Sequence, residues 1–332
     1  MQRKHFRAGY GFVHWIPVIL ILVFVVGVAA NMQAIRDYGR LYNYVPPVSI
    51  KSFADQTTMT DSARTMFYVN HPVLADRTTF GGQCTSRGEQ TIVLGCYKPV
   101  DRGIFLFDVQ DTRLNGVEQV TAAHEMLHAA YDRLSRSERE RIDVQLQNFY
   151  NEQIKDKNQR LRSTITAYEK SEPNDIQNEM HSIFATEVAD LPTELEVYYK
   201  RYFSDRSKVI AYAEGYRHEF TTRQEKVRVY DLQLLSLKDR IDRNRLELER
   251  RENDITRYQQ QMEDFRGRDE IESYNAVVPV YNGRVDEYNT LVRSVQACIK
   301  EYNRLVAERN QLASQIRELT ESISSELEPI QQ

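Results

Sequence analysis

The chain is 332 residues long, and its 44 Lys and Arg nearly balance 48 Asp and Glu, a formal net charge of −4. No basic excess exists to draw it to nucleic acid, so that class of partner is excluded. Charged residues make up 28% of the chain and histidines number only 7, so an uncharged stretch built around paired histidines departs from the background.

The first element is an apolar run over residues 12–30, with Arg3, Lys4 and Arg7 before it and Trp15 near its start. At 1.5 Å per residue the run is about long enough to cross a hydrocarbon core. The basic cluster predicts a cytoplasmic N-terminus, with everything after Asn31 outside, as a single-pass protein of the cell membrane. Val28-Ala29-Ala30 would also satisfy a signal peptidase, so secretion after cleavage is the alternative. The run exceeds the roughly 7–15 apolar residues of a signal sequence, which favours a retained anchor. Val45-Pro46-Pro47 then reads as a linker.

Cys84 and Cys96 are expected to bracket a hairpin, and outside the cytoplasm they could pair. Closing so short a loop contributes about 3 kcal/mol. Two ordinary thiols are the plainer reading. Residues 91–97 and 104–109 are predicted strands of a small sheet, the second bounded by Gly103 and Asp111-Thr112.

A loop holding Asn115-Gly116 leads into Val120-Thr121-Ala122-Ala123-His124-Glu125-Met126-Leu127-His128-Ala129. Four residues advance an α-helix by about 6 Å and just over one turn, so His124 and His128 leave the same face. Two imidazoles presented that way can share one Zn²⁺, with Glu125 beside the open position. Such an ion acidifies a water, and the glutamate can take its proton as it attacks a carbonyl. Ser135 and Glu138 form a capping box that opens the next helix, whose apolar edge is Leu146, Phe149 and Tyr150.

The third ligand is sought on a later helix. After the break at Glu172-Pro173-Asn174, Asp175 lies in the first turn of a helix carrying Asn178, Glu179, His181, Ile183 and Glu187. Glu179 is a candidate, and because Glu179, Ile183 and Glu187 share one face, Glu187 is its rival, as ligand or as brace. A donor for the developing oxyanion should be a Tyr, His or Arg, and His181, Tyr198, Tyr199, Tyr202 and His218 are candidates.

Val209, Ala213, Tyr216 and Phe220 keep helical spacing into a long apolar seam. Val227, Tyr230, Leu234, Leu237, Ile241, Leu248, Ile255, Tyr258, Met262 and Phe265 follow steps of three and four, interrupted by Asn244, Arg251 and Glu252. Arg266-Gly267-Arg268-Asp269 breaks the run. Tyr274, Tyr281, Tyr288 and Tyr302 then keep a seven-residue register, with Val278, Val285, Val292, Ile299 and Val306 complementary to them and Leu327 near its end. Two stripes and one break predict an antiparallel helical hairpin with arms of order 65 Å. Pro279 would start or kink the second arm, and Cys298 reads as a free thiol. A parallel coiled-coil dimer is the alternative.

The motif His124-Glu125-x-x-His128 resembles that of the zincin superfamily of zinc metallopeptidases. The metzincin extension is absent, because Tyr131 stands where glycine is needed and Leu134 where histidine is needed. Asn178-Glu179 resembles the Asn-Glu pair of thermolysin-like gluzincins. Glu179, Phe184-Ala185 and Pro192 also resemble the ligand segment of repressor-cleaving peptidases. Ile183 departs from the pattern, since gluzincins carry Asp or Asn there to brace a histidine. The resemblance spans residues 91–202 and implies a zincin-like domain, one Zn²⁺ on His124, His128 and Glu179, and Glu125 as general base.

The expected fold is α+β, mostly α. Residues 1–31 form the anchor, 32–221 the zincin-like domain with its small sheet and metal helix, and 222–332 the coiled-coil hairpin. The expected function is a membrane-anchored zinc metalloendopeptidase acting on extracytoplasmic protein or peptide, with the hairpin binding a partner or a second copy. The alternatives are a non-catalytic envelope scaffold with a degenerate zincin domain, and a zinc hydrolase of cell-wall amide bonds.

Overall fold

A computed structural model describes residues 15–84, 92–100 and 103–325. Arg3, Lys4, Arg7, the start of the apolar run, Thr91 and Leu327 lie outside the described residues. The chain divides into two compact units, Met1–Gly215 with Ile323–Gln332, and Tyr216–Ser322.

The first unit opens with helices α1 (Trp15–Ala30) and α2 (Met32–Leu41), bent by 56° across Asn31. Among the described residues no single helix is long and apolar enough to cross a membrane; the bent pair meets the length and composition together. Pro47 is the N-cap of α3 (Val48–Gln56), so the expected linker ends as a helix start. Helix α4 (Asp61–Tyr68) begins at Thr60, whose hydroxyl accepts the Ala63 N–H. Strand β1 (Val73–Ala75), helix α5 (Arg77–Gln83), and strands β2 (Gly95–Lys98) and β3 (Gly103–Phe107) follow.

The three strands form one sheet in the order β1-β3-β2, with β1 parallel and β2 antiparallel to β3. The predicted strand over 104–109 is therefore the centre of the sheet, and β2 is its edge. Cross-strand partners point to the same face. Gly95 opposite Leu106 looks toward one side, and Cys96 opposite Phe105 looks toward the other. On that second side Ala75, Phe80 and Phe107 form an apolar cluster flanked by Cys84, Leu94 and Phe105.

Cys84 and Cys96 are joined by a disulfide with Cα atoms 5.9 Å apart. They do not bracket a hairpin, because residues 77–83 continue as helix and Cys84 is its C-cap. The bond ties α5 to the edge strand.

Helix α6 (Val117–Asp132) crosses the sheet and packs on α3, α4, β2, β3 and the later α9 (Ile176–Glu187). Almost every residue from Val117 to Tyr131 is buried, Glu125 and His128 included, as the largely apolar sequence around them demands. Between them lie α7 (Arg136–Phe149), opened by the Ser135–Glu138 capping box, and α8 (Gln159–Ser171). Helices α10 (Thr193–Tyr199) and α11 (Ser207–Gly267) come next, and α12 (Ile271–Ile323) closes the described chain.

In the second unit α11 and α12 are an antiparallel hairpin. Arg223 pairs with Gln315, Asp231 with Arg309, Arg251 with Glu287 and Gln259 with Tyr281, so partners descend one helix as they climb the other. The turn places Asp269 at φ 59°. At 53 residues α12 spans about 80 Å, longer than expected, because Pro279 lies inside it and its start is at Ile271. Asn244 and Arg251 occupy seam positions and are half-buried, while Glu252 faces solvent. On α12 the buried residues are Val295, Cys298, Leu305 and Leu319, and Ile299 is exposed. A 3.6-residue turn drifts against a strict seven-residue repeat, which rotates Cys298 inward in place of Ile299.

Candidate metal site

Helix α6 starts at Gly116, whose φ of 110° requires the left-handed region. A Cβ there would stand 2.9 Å from the Tyr212 carbonyl oxygen, so the residue serves close packing as well as the turn. Two turns on, the His124 and His128 rings lie side by side, with centroids 4.7 Å apart and an interplanar angle of 76°. The ligand atoms of His124, Glu125 and His128 all lie within 4.8 Å of one another, so the three could hold a metal ion.

Glu179, on the first turn of α9, also faces both rings. Its Oε1 is 3.4 Å from His128 Nε2 and its Oε2 is 3.6 Å from His124 Nε2. The second distance is too long for a hydrogen bond, and Oε2 is buried without a hydrogen-bond partner. Two donors each about 2.0–2.1 Å from a tetrahedral metal are separated by roughly 3.3 Å. The spacing of the two imidazoles and this carboxylate therefore fits an ion between them. A buried carboxylate left without such a counter-charge would be costly. Burial pushes the Glu179 carboxyl up, but the facing His128 and His124 rings outweigh it and hold the group below its ordinary value.

The rings are oriented from behind. His128 Nδ1 lies 3.0 Å from Asn178 Oδ1 and 3.4 Å from Ser182 Oγ. An amide oxygen only accepts, so Nδ1 donates to it and Nε2 is the nitrogen left on the Glu179 side, where an ion would be held. Asn178 thus supplies the brace that Ile183 cannot. At the far end of α9, Arg206 donates to the carbonyls of Ala185 (3.1 Å), Val188 (2.6 Å) and Ala189 (2.8 Å), and pairs with Glu196. A guanidinium there satisfies the last carbonyls of the helix and complements its dipole.

Glu125 is turned toward the sheet. A Cβ on Gly95 would lie 2.6 Å from Glu125 Oε1 and from Thr121 Cγ2. Only a glycine lets the edge strand pass this close to the helix. Glu118, at the start of α6, accepts the Val109 N–H at 3.0 Å. Its burial, against that bond and with Asp108 beside it, pushes its carboxyl up to about 7.

The other candidates lie elsewhere. Glu187 forms an ion pair with Arg160 at 2.5 Å. His181 is fully buried, with Nε2 2.9 Å from the Tyr198 hydroxyl and its ring packed by Tyr131, Tyr198, Tyr199 and Tyr202. Burial first, and then His128, His124 and Arg201 nearby, push its imidazole down to about 3, so it stays neutral. The Tyr199 hydroxyl donates to the His181 carbonyl at 2.8 Å and is equally enclosed. The Tyr198 and Tyr202 hydroxyls bond each other at 3.1 Å. His218 is exposed in the second unit beside Thr222. His181 and Tyr199 therefore pack the wall behind α9.

The sequence alone gives no such role to Asn178, Ser182, Arg206 or Gly95. The nearest signal was the Asn178-Glu179 pair itself. Comparison with protein-family models, with curated proteins and with solved structures finds no match to this chain, so the chemistry of the site rests on its own geometry.

Proposed function

We propose that the chain is a zinc peptidase of the zincin type, attached to a membrane by its N-terminal apolar run with the residues after Asn31 on the outer side. The observation that carries this reading is the buried Glu179 carboxylate spanning two imidazole nitrogens at 3.4 and 3.6 Å, beside Glu125. His124, His128 and Glu179 would hold Zn²⁺, which when bound supplies Lewis acidity toward a water and a substrate carbonyl. The Glu125 carboxylate takes the proton of the attacking water and returns it to the leaving amine nitrogen. Strand β2 has one face against Glu125 and is an edge of the β1-β3-β2 sheet among the described residues, which supports an extended substrate lying beside it. The Cys84–Cys96 disulfide supports an oxidising compartment, and the exposed apolar side chains of residues 19–26 support insertion in lipid.

Glu125→Gln keeps the shape of the side chain and removes the base. Purified full-length chain carrying it should bind one zinc per molecule and lose peptide hydrolysis by two orders of magnitude or more, roughly the contribution of a positioned general base. Full activity in that variant would overturn the assignment, and absence of zinc from the unmodified chain would favour a structural role for the fold.

A further inference from the structure

Helix α2 is amphipathic in the inverted sense. A helix on a soluble surface turns its apolar stripe to the core and its charges to water. Here the polar side is held by the body. Arg133, the C-cap of α6, grips Asp37 with two bonds of 2.9 and 3.1 Å. Arg40 donates to the Val69 carbonyl at 2.5 Å, and the Arg40 carbonyl lies 2.9 Å from His71 Nε2. The opposite side carries Met32, Ile35, Tyr38 and Tyr42, and these are 38%, 50%, 71% and 66% exposed.

Met32, Ile35 and Tyr38 at spacings of three on the helix, with Tyr42 at its C-cap, form one patch, and such a patch marks an interaction surface. Its occupant is indicated by what precedes it. One residue upstream, α1 ends, and its side chains from Ile19 to Val26 are all more than half exposed. The 56° bend at Asn31 turns the chain from the α1 direction while the apolar surface continues. Tyrosines at such a junction have an apolar ring and a hydroxyl that prefers the headgroup layer.

We infer that α2 lies in the lipid–water interface, with Met32, Ile35, Tyr38 and Tyr42 in the headgroup layer and Asp37 and Arg40 fastening it to the body. The inference rests on the membrane attachment proposed above and adds a second, interfacial contact to it.

The test uses the full-length chain in phosphatidylcholine vesicles, with Trp15→Phe removing the single native indole. Separate variants then carry Phe24→Trp, Tyr38→Trp, Tyr42→Trp or, as a water-facing control on α7, Val144→Trp. Fluorescence is read with lipid brominated near the headgroup, with lipid brominated deep in the acyl chain, and with aqueous acrylamide. The expected result is loss of emission for Tyr38→Trp and Tyr42→Trp with the shallow bromolipid, for Phe24→Trp with the deep one, and for Val144→Trp with acrylamide only. If Phe24→Trp responds to lipid while the α2 indoles respond like Val144→Trp, the attachment stands and the interfacial helix is refuted. Should the α2 indoles be shielded from both lipid and acrylamide, protein covers that face and the inference also fails. A Phe24→Trp signal blind to lipid removes the attachment and the inference with it.

Discussion

The proton on His128 Nδ1 is held by an amide oxygen, and that single contact decides which nitrogen faces Glu179. Asn178→Ala removes the acceptor and frees the ring to rotate or change tautomer, leaving only the longer Ser182 contact. Zinc affinity should fall by about 10–100-fold, as for other outer partners of ligating histidines, in competition with a chromogenic chelator. Unchanged affinity would show that packing alone orients the ring. Glu118 carries a different prediction. Its folded pKa, raised by burial to about 7, lies above the ordinary value of 4.5. Between those values the folded chain holds the proton more tightly than the unfolded chain does. Its contribution to stability is therefore full below the ordinary value and is lost as pH rises through about 7. Glu118→Gln should flatten the decline in melting temperature between about pH 5 and about pH 8, and a variant whose profile parallels the parent would exclude this group as its source.

Helix α9 is the element on which the site turns, since it brings Glu179 and Asn178 to α6 from fifty residues away. Its start is defined by the Glu172-Pro173-Asn174 break and its end by Arg206, which reaches back from the residue before α11. Arg206→Met keeps the apolar stem and strips the donors from three carbonyls and from Glu196. The loss should be about 3 kcal/mol in urea unfolding, with metal affinity falling in parallel as α9 loosens. A change below about 1 kcal/mol would mean that packing on α6 holds the helix unaided. The edge strand β2 is likewise held from two sides, by its pairing with β3 and by the disulfide to Cys84, which keeps Gly95 against Glu125.

The long helices close on one another within a single chain. Asp231→Cys with Arg309→Cys, in a Cys298→Ser background, places two thiols where a 3.1 Å ion contact now joins the arms. Mild oxidation should give a cross-linked monomer that runs faster on a non-reducing gel, and a covalent dimer as main product would restore the parallel alternative. Much of this hairpin was legible in residue order, because a heptad seam and its break are local patterns that report which face is apolar. The same holds for α6: two histidines four apart with a glutamate between them share a face by helix geometry alone, whatever surrounds them. The Ser135–Glu138 cap was read for the same local reason. The rest depends on which distant segments meet. β1 is three residues long and has no period to read, so only its pairing with β3 makes it a strand. Gly95 is an ordinary strand glycine until Glu125, thirty residues on, lies against it, and Ile183 hides a brace that came instead from Asn178. Glu187 shares a helical face with Glu179, yet Arg160 claims it, and His181 is a donor in isolation but a packing residue inside its ring of tyrosines. Short-range periodicity is written into successive residues, whereas a ligand's brace, a helix cap or a close approach exists only once segments far apart in the chain have packed.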